Sequence, residues 1–155
     1  MIDIKLIVVG KIKEKYLEDA IAEYQKRIKP MANLSLIEVK ECTSFESSRN
    51  LKEESKLILD NISDNSFVVT LEIEGKELSS VEFSDYISKH YLYNNKTLTF
   101  IIGSSDGLDI EVKKRSDYKL SFSKMTFPHQ LMRVIFLEQL YRALSIINNK
   151  KYHKW

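Results

Sequence analysis

The feature that most constrains this chain is an alternation, kept from one end to the other, of short apolar runs and helix-spaced segments. IKLIVVG (4–10) reads as a buried strand closed by Gly10. From Glu14 to Lys29, the spacing of Leu17, Ile21, Tyr24 and Ile28 predicts a helix that Pro30 ends. LSLIEVK (34–40) reads as a second strand, and Leu51, Ile58, Leu59 and Ile62 mark a helix within residues 45–62. FVVTLEI (67–73) is a third strand with a turn expected at Glu74–Gly75, and Ser79 or Ser80 can cap a third helix. TLTFIIG (97–103) is a fourth strand, followed by a short helix near 109–115 and a short strand near 118–122. A long final helix runs over residues 129–147. Strands separated by helices imply βαβ units, so the fold class is α/β: a parallel sheet with flanking helices, in one domain over residues 1–155. In such sheets ligands lie beyond the carboxyl ends of the strands, which directs attention past Thr70–Leu71, past Ile102 and around Phe122.

Several function classes drop out. No apolar run approaches the roughly 20 residues that span a bilayer. MIDIKLIVVG is too short and too quickly charged for a signal peptide. The single cysteine, Cys42, offers neither an internal disulfide nor a metal-ligand spacing, so a cytoplasmic protein without a metal is expected. The net charge of +2 conceals a polarity. Residues 1–110 hold 14 Lys and Arg against 19 Asp and Glu, whereas residues 111–155 hold 10 against 3. Only this last segment, with a balance of +7, suits a polyanion such as RNA, and a solvated basic face explains it equally well.

The four glycines are informative because they are few. Gly10 and Gly75 read as turn residues. The loop 103-GSSDG-107 suggests a ligand loop, although its spacing is neither a dinucleotide fingerprint nor a P-loop. His90 reads as structural and His129 as a helix-start residue. Glu138 and Arg142, four apart on the last helix, have the spacing of an ordinary exposed ion pair. That helix is apolar almost all round, from Leu131 through Leu140 to Ile147, and so calls for burial on several sides, as against a second copy.

The stretch LSFSKMTFPHQLMRVIFLEQLYRALSIINNKKYHKW (120–155) closely resembles the C-terminus of the RlmH family, SPOUT-class methyltransferases of large-subunit ribosomal RNA. The core FSKMTFPHQLMRV (122–134), EQLYRA (138–143) and YHK (152–154) carry it. IVVGKIKEKY (7–16), AEYQKRI (22–28), VVTLEIEGK (68–76) and FIIG (100–103) extend it over almost the whole chain, most weakly across 41–66. The resemblance implies a C-terminal trefoil knot, an otherwise rare topology, and S-adenosylmethionine as cofactor. By matching position, Leu71, Gly103 and Phe122, Ser123, Lys124, Met125, Thr126 and Phe127 would contact it. These are the segments that the strand-end rule selects independently. It further implies a homodimer that acts on ribosomal RNA, free or within a subunit or the ribosome, methylating N3 of a pseudouridine in 23S ribosomal RNA. Arg142, Tyr152 and His153 are then the candidate catalytic residues, with Glu138 and Arg133 positioning the RNA and the base.

Two departures stand out. The family usually has a second glycine where this chain has Ser104, and strain would follow if that position takes positive φ. ESSRNLKEESK (46–56) also lacks a glycine often found before the second helix's apolar run. Two rival readings have their own signatures. A non-catalytic RNA-binding factor needs only the basic segment, and another nucleotide-binding α/β enzyme would need a phosphate fingerprint that is missing here.

Overall fold

The computed structural model describes residues 1–94 and 96–154, so Trp155, which follows the YHK motif, lies outside the described residues. The elements in chain order are β1 (Ile2–Val9), α1 (Lys15–Ile28), β2 (Ala32–Val39), α2 (Ser47–Asp60), β3 (Ser66–Glu77), α3 (Ser80–Tyr93), β4 (Thr97–Ile102), α4 (Ile110–Arg115), β5 (Tyr118–Ser121) and α5 (His129–Ile147). The five strands form one sheet in the order β2-β1-β4-β3-β5, and every pairing is parallel.

Side chains alternate across this sheet, which is why its central strands are apolar without interruption. Ile4, Leu6 and Val8 of β1 join Leu98, Phe100 and Ile102 of β4 in the larger core, under α1, α3 and α5. Ile7 and Val9 face the other way and meet Ile101, Val68, Ile58 of α2 and Val112 of α4. Phe100 and Phe136 pack with ring centres 4.7 Å apart, which seats α5 on the sheet. Ser79 begins α3 with a reciprocal cap: its hydroxyl accepts from the Glu82 N–H at 3.0 Å, and the Glu82 carboxylate accepts from the Ser79 N–H at 2.8 Å.

One expectation needs correction. The turn at Glu74–Gly75 is a bulge inside a longer strand. Leu120 of β5 pairs with both Leu71 and Lys76, and residues 72–75 are looped out between them. Gly75 serves close approach rather than turning, because a Cβ there would sit 2.7 Å from the Lys119 carbonyl carbon. The apolar girdle of α5 is used only in part within the chain. Phe136, Leu137, Leu140 and Leu144 are buried against the core, whereas Met132, Val134, Ile135, Ile146 and Ile147 stay half-buried and Leu131 is exposed.

α5 ends on a residue in the left-handed region. Asn149 has φ 57°. Its N–H donates to the Ile146 carbonyl at 3.1 Å, and the Lys150 N–H donates to the Ser145 carbonyl at 2.8 Å. This pair of bonds is a Schellman motif, in which asparagine tolerates the conformation that glycine usually supplies. It reverses the chain, so that Tyr152 and His153 return to the side of α5.

Candidate functional site

The carboxyl ends of β3, β4 and β5 enclose a cleft of about 740 Å³. Leu71, Gly103, Phe122, Ser123, Met125, Thr126 and Phe127 line it, so seven of the eight expected cofactor contacts share one wall system; Lys124 is exposed and does not line it. Three devices shape the cleft. The looped-out residues of β3 bring Glu72, Ile73 and Glu74 to one side. The 103–107 loop forms a second side, closed by donation from the Gly107 N–H to the Ser104 carbonyl at 2.9 Å. Gly103 fits only because it lacks a side chain, since a Cβ would lie 2.8 Å from the Gly107 carbonyl carbon and 2.9 Å from Leu108 Cδ2. The 122–127 segment forms the third side, where the Ser123 hydroxyl accepts from the Met125 N–H at 3.0 Å.

The cleft wall is mainly apolar, from Leu108, Leu120, Phe127 and Met132, with backbone groups and a few polar side chains between them. That combination suits a nucleoside: flat apolar surfaces for a base and convergent polar groups for its edges. His129 also faces the cleft, and its Nε2 is buried without a partner among the described residues. Burial holds its pKa below the usual histidine range; the Glu41 carboxylate opposes this, while Arg133 and Lys13 add to it. It begins α5, where the sequence places it, but gives the helix no side-chain cap. His129, Leu108, Leu120 and Met132 were not singled out as site residues, although Leu108 and Leu120 follow or end the strands that the strand-end rule names.

Ser104 is not strained. Among the described residues Asn149 is the only non-glycine with positive φ, and Gly107 takes the left-handed conformation in this loop at φ 90°.

The tail residues form a second group. The Arg142 Nε donates to Glu138 Oε1 at 2.8 Å, and the guanidinium carbon lies 4.7 Å from the Tyr152 ring centre. Tyr152 in turn meets the Tyr141 ring edge-on at 4.6 Å. Arg142 Nη1 is 3.2 Å from His153 Nδ1. Arginine can only donate, so Nδ1 accepts and the proton of the neutral imidazole sits on Nε2. That Nε2–H is buried and has no partner among the described residues. The Glu138–Arg142 pair is therefore more than an exposed staple. At 19% and 24% side-chain exposure it holds the returning tail.

Arg133 belongs to neither group. It is 1% exposed and donates to the carbonyls of Val9 and Gly10, both at 2.7 Å, and to Glu38 at 2.9 Å. These bonds tie α5 to the exit of β1, and burial pulls its pKa below the ordinary arginine value while Glu38 and Glu41 oppose it. Its contacts are those of a structural residue, contrary to the RNA-positioning role expected from the sequence.

Among the described residues no group of three His, Cys, Asp or Glu side chains could hold a metal ion, and no helix is long and apolar enough to cross a membrane. A family model described as "Predicted SPOUT methyltransferase" matches residues 2–153. Relatives named ribosomal RNA large subunit methyltransferase H, from Carboxydothermus hydrogenoformans and Clostridium botulinum, are each 50% identical over 158 residues, covering 98% of this chain and 99% of theirs. A solved structure described as a probable methylase family protein, from Haemophilus influenzae Rd KW20, shares the fold at a TM-score of 0.56 and 17% identity, with 99% of this chain and 71% of that one covered.

Proposed function

Given that this chain belongs to the SPOUT methyltransferase family, we propose that its cleft binds S-adenosylmethionine and that it methylates N3 of a pseudouridine in 23S ribosomal RNA. The observation that carries this reading is the convergence of Leu71, Gly103 and the 122–127 segment on one cleft of about 740 Å³, within the size range of small-ligand sites. The names of the half-identical relatives support ribosomal RNA of the large subunit as substrate. The family also implies the C-terminal knot, and a cytoplasmic enzyme follows from such a substrate.

When bound, S-adenosylmethionine supplies a methyl group on a sulfonium, already an activated leaving group. The chain's own task is to hold the base in line with that carbon and help its N3 proton depart. A base that enters a pocket must first leave its stack, and an aromatic ring can hold it there. Arg142, Tyr152 and His153 suit that work: a fixed cation, a ring and an imidazole held together at the end of α5. Glu138 orients the arginine.

Within one copy these residues do not line the cleft. His129 lies at the cleft and Arg142 is 13 residues further along the same helix, roughly 20 Å at helical rise. One base cannot reach both. We therefore propose a homodimer in which the tail of one copy completes the cleft of the other. Exposed Ile73 and Met125, beside the cleft, are apolar surface available for that contact.

Calorimetry with S-adenosylmethionine tests the reading at its base. Saturable binding with a raised melting temperature is expected, since a ligand for the folded state stabilises it. No binding at millimolar ligand would overturn it.

A further inference from the structure

Where α1 packs against α5, two arginines bracket three neighbouring tyrosine rings, and each arginine is held by a glutamate four residues before it. On α5, Glu138 holds Arg142 over the Tyr152 ring. On α1, Arg27 Nε donates to Glu23 Oε2 at 2.7 Å. Its guanidinium carbon lies 5.5 Å from the Tyr24 ring centre and 5.7 Å from that of Tyr141. The Tyr24 and Tyr141 ring centres are 6.3 Å apart, and Tyr141 meets Tyr152 edge-on at 4.6 Å. The series therefore runs Arg27, Tyr24, Tyr141, Tyr152, Arg142, and Arg142 reaches His153 Nδ1 at 3.2 Å. Every spacing falls within the reach of aromatic or cation–π attraction. The α1 members belong to AEYQKRI (22–28), whose residues lie outside the cleft.

We propose that Tyr24 and Arg27 are positioning residues for methyl transfer, acting through Tyr141 on the Tyr152 ring and so on Arg142 and His153. The inference rests on the reading that the tail holds the target base. Tyr152 stands three residues beyond the reversal at Asn149, and its N–H donates to the nearby Lys150 carbonyl at 3.0 Å. That local bond leaves the direction of the ring to its lateral contacts. Arg142 covers one face and Tyr141 supplies an edge. Tyr141 is in turn fixed from α1, by the Tyr24 ring and the Arg27 guanidinium. An exposed pair such as Glu23–Arg27 adds little stability by itself. Its effect here is to fix where a planar cation lies over two rings.

The test measures steady-state methyl transfer to large-subunit ribosomal RNA, S-adenosylmethionine affinity and amide exchange of residues 150–154. Tyr24→Leu keeps apolar bulk and removes the ring, so kcat should fall about tenfold, the worth of one aromatic contact. KM for RNA and cofactor affinity should match wild type, while the tail amides exchange faster without ligand. Tyr24→Phe should restore both kcat and exchange. Arg27→Met should lower kcat by about three- to tenfold, and Arg27→Lys should not restore it, because an ammonium lacks the planar face. A Tyr24 that merely fills space would lower the melting temperature of Tyr24→Leu and leave kcat and tail exchange unmoved, which overturns the proposal. A loss in Arg27→Met that lies in KM, with a salt slope shallower by roughly one charge and recovery in Arg27→Lys, would mark a phosphate contact and overturn it too. If Tyr24→Leu does not fold, Arg27→Met carries the test from its exposed position, and unchanged kcat and exchange there are equally fatal. A wild type that transfers no methyl group sinks the functional reading instead, and the exchange comparison then still decides whether α1 holds the tail.

Discussion

The Arg142 guanidinium stacks 4.7 Å above the centre of the Tyr152 ring, so the last residues of the chain are held on α5 where chain ends commonly fray. The hold begins at Asn149, whose φ of 57° reverses the chain. Asn149→Val places a β-branched residue where even asparagine is unusual, and should cost about 1–3 kcal/mol. Asn149→Gly should be neutral or slightly stabilising. Thermal unfolding compares them directly; equal melting temperatures for the two variants would show that the reversal imposes no constraint.

Exchange of tails between copies predicts complementation. Gly103→Val should abolish cofactor binding, since the added Cβ meets the Gly107 backbone. His153→Ala should leave binding intact and cut methyl transfer by about 10²-fold, the scale of lost positioning or proton handling. Neither variant is active alone. Co-refolded together, about a quarter of wild-type activity should return, carried by mixed dimers with one complete site. An inactive mixture that nevertheless forms mixed dimers would place cleft and tail of each site in the same copy.

Arg133 separates a structural role from an RNA role. Arg133→Met leaves the carbonyls of Val9 and Gly10 without their donor and should destabilise by about 3–5 kcal/mol. At a temperature where the variant is folded, its affinity for RNA and the salt slope of that affinity should match wild type. A stable variant with a shallower salt slope would restore the RNA role.

Much of this architecture is legible in the residues. β1 and β4 are apolar on both faces because both faces are covered, and that pattern gives the parallel sheet and the strand ends where the cleft opens. The bulge at 72–75 was not legible, because Gly75 marks a close approach to Lys119 that only the pairing of β3 with β5 creates. Arg133 looks like any basic residue on a basic helix until the fold buries it under β1. The cleft residues at 122–127 were found by resemblance and by the strand-end rule together, whereas His129 was hidden by its position at the start of a helix.

His129 predicts a pH dependence. The ordinary pKa of histidine, about 6.5, describes the unfolded chain, and burial depresses the folded value below it. The unfolded state therefore takes up the proton first as pH falls, so stability is lost on going from about 6.5 down to the folded pKa and not above it. His129→Gln should lose less melting temperature than wild type between about pH 7 and pH 5. Parallel curves would show that the imidazole is equally free to protonate in both states.

The central claim is tested most directly by methyl transfer to large ribosomal subunits and to assembled ribosomes from cells that lack the modification, with labelled S-adenosylmethionine and mass-spectrometric mapping of the product. The account predicts stoichiometric label on N3 of one pseudouridine in 23S ribosomal RNA, lost when the wild type is replaced by Gly103→Val. A wild type that binds the cofactor but labels no large-subunit RNA, or labels it at another atom, would contradict the account.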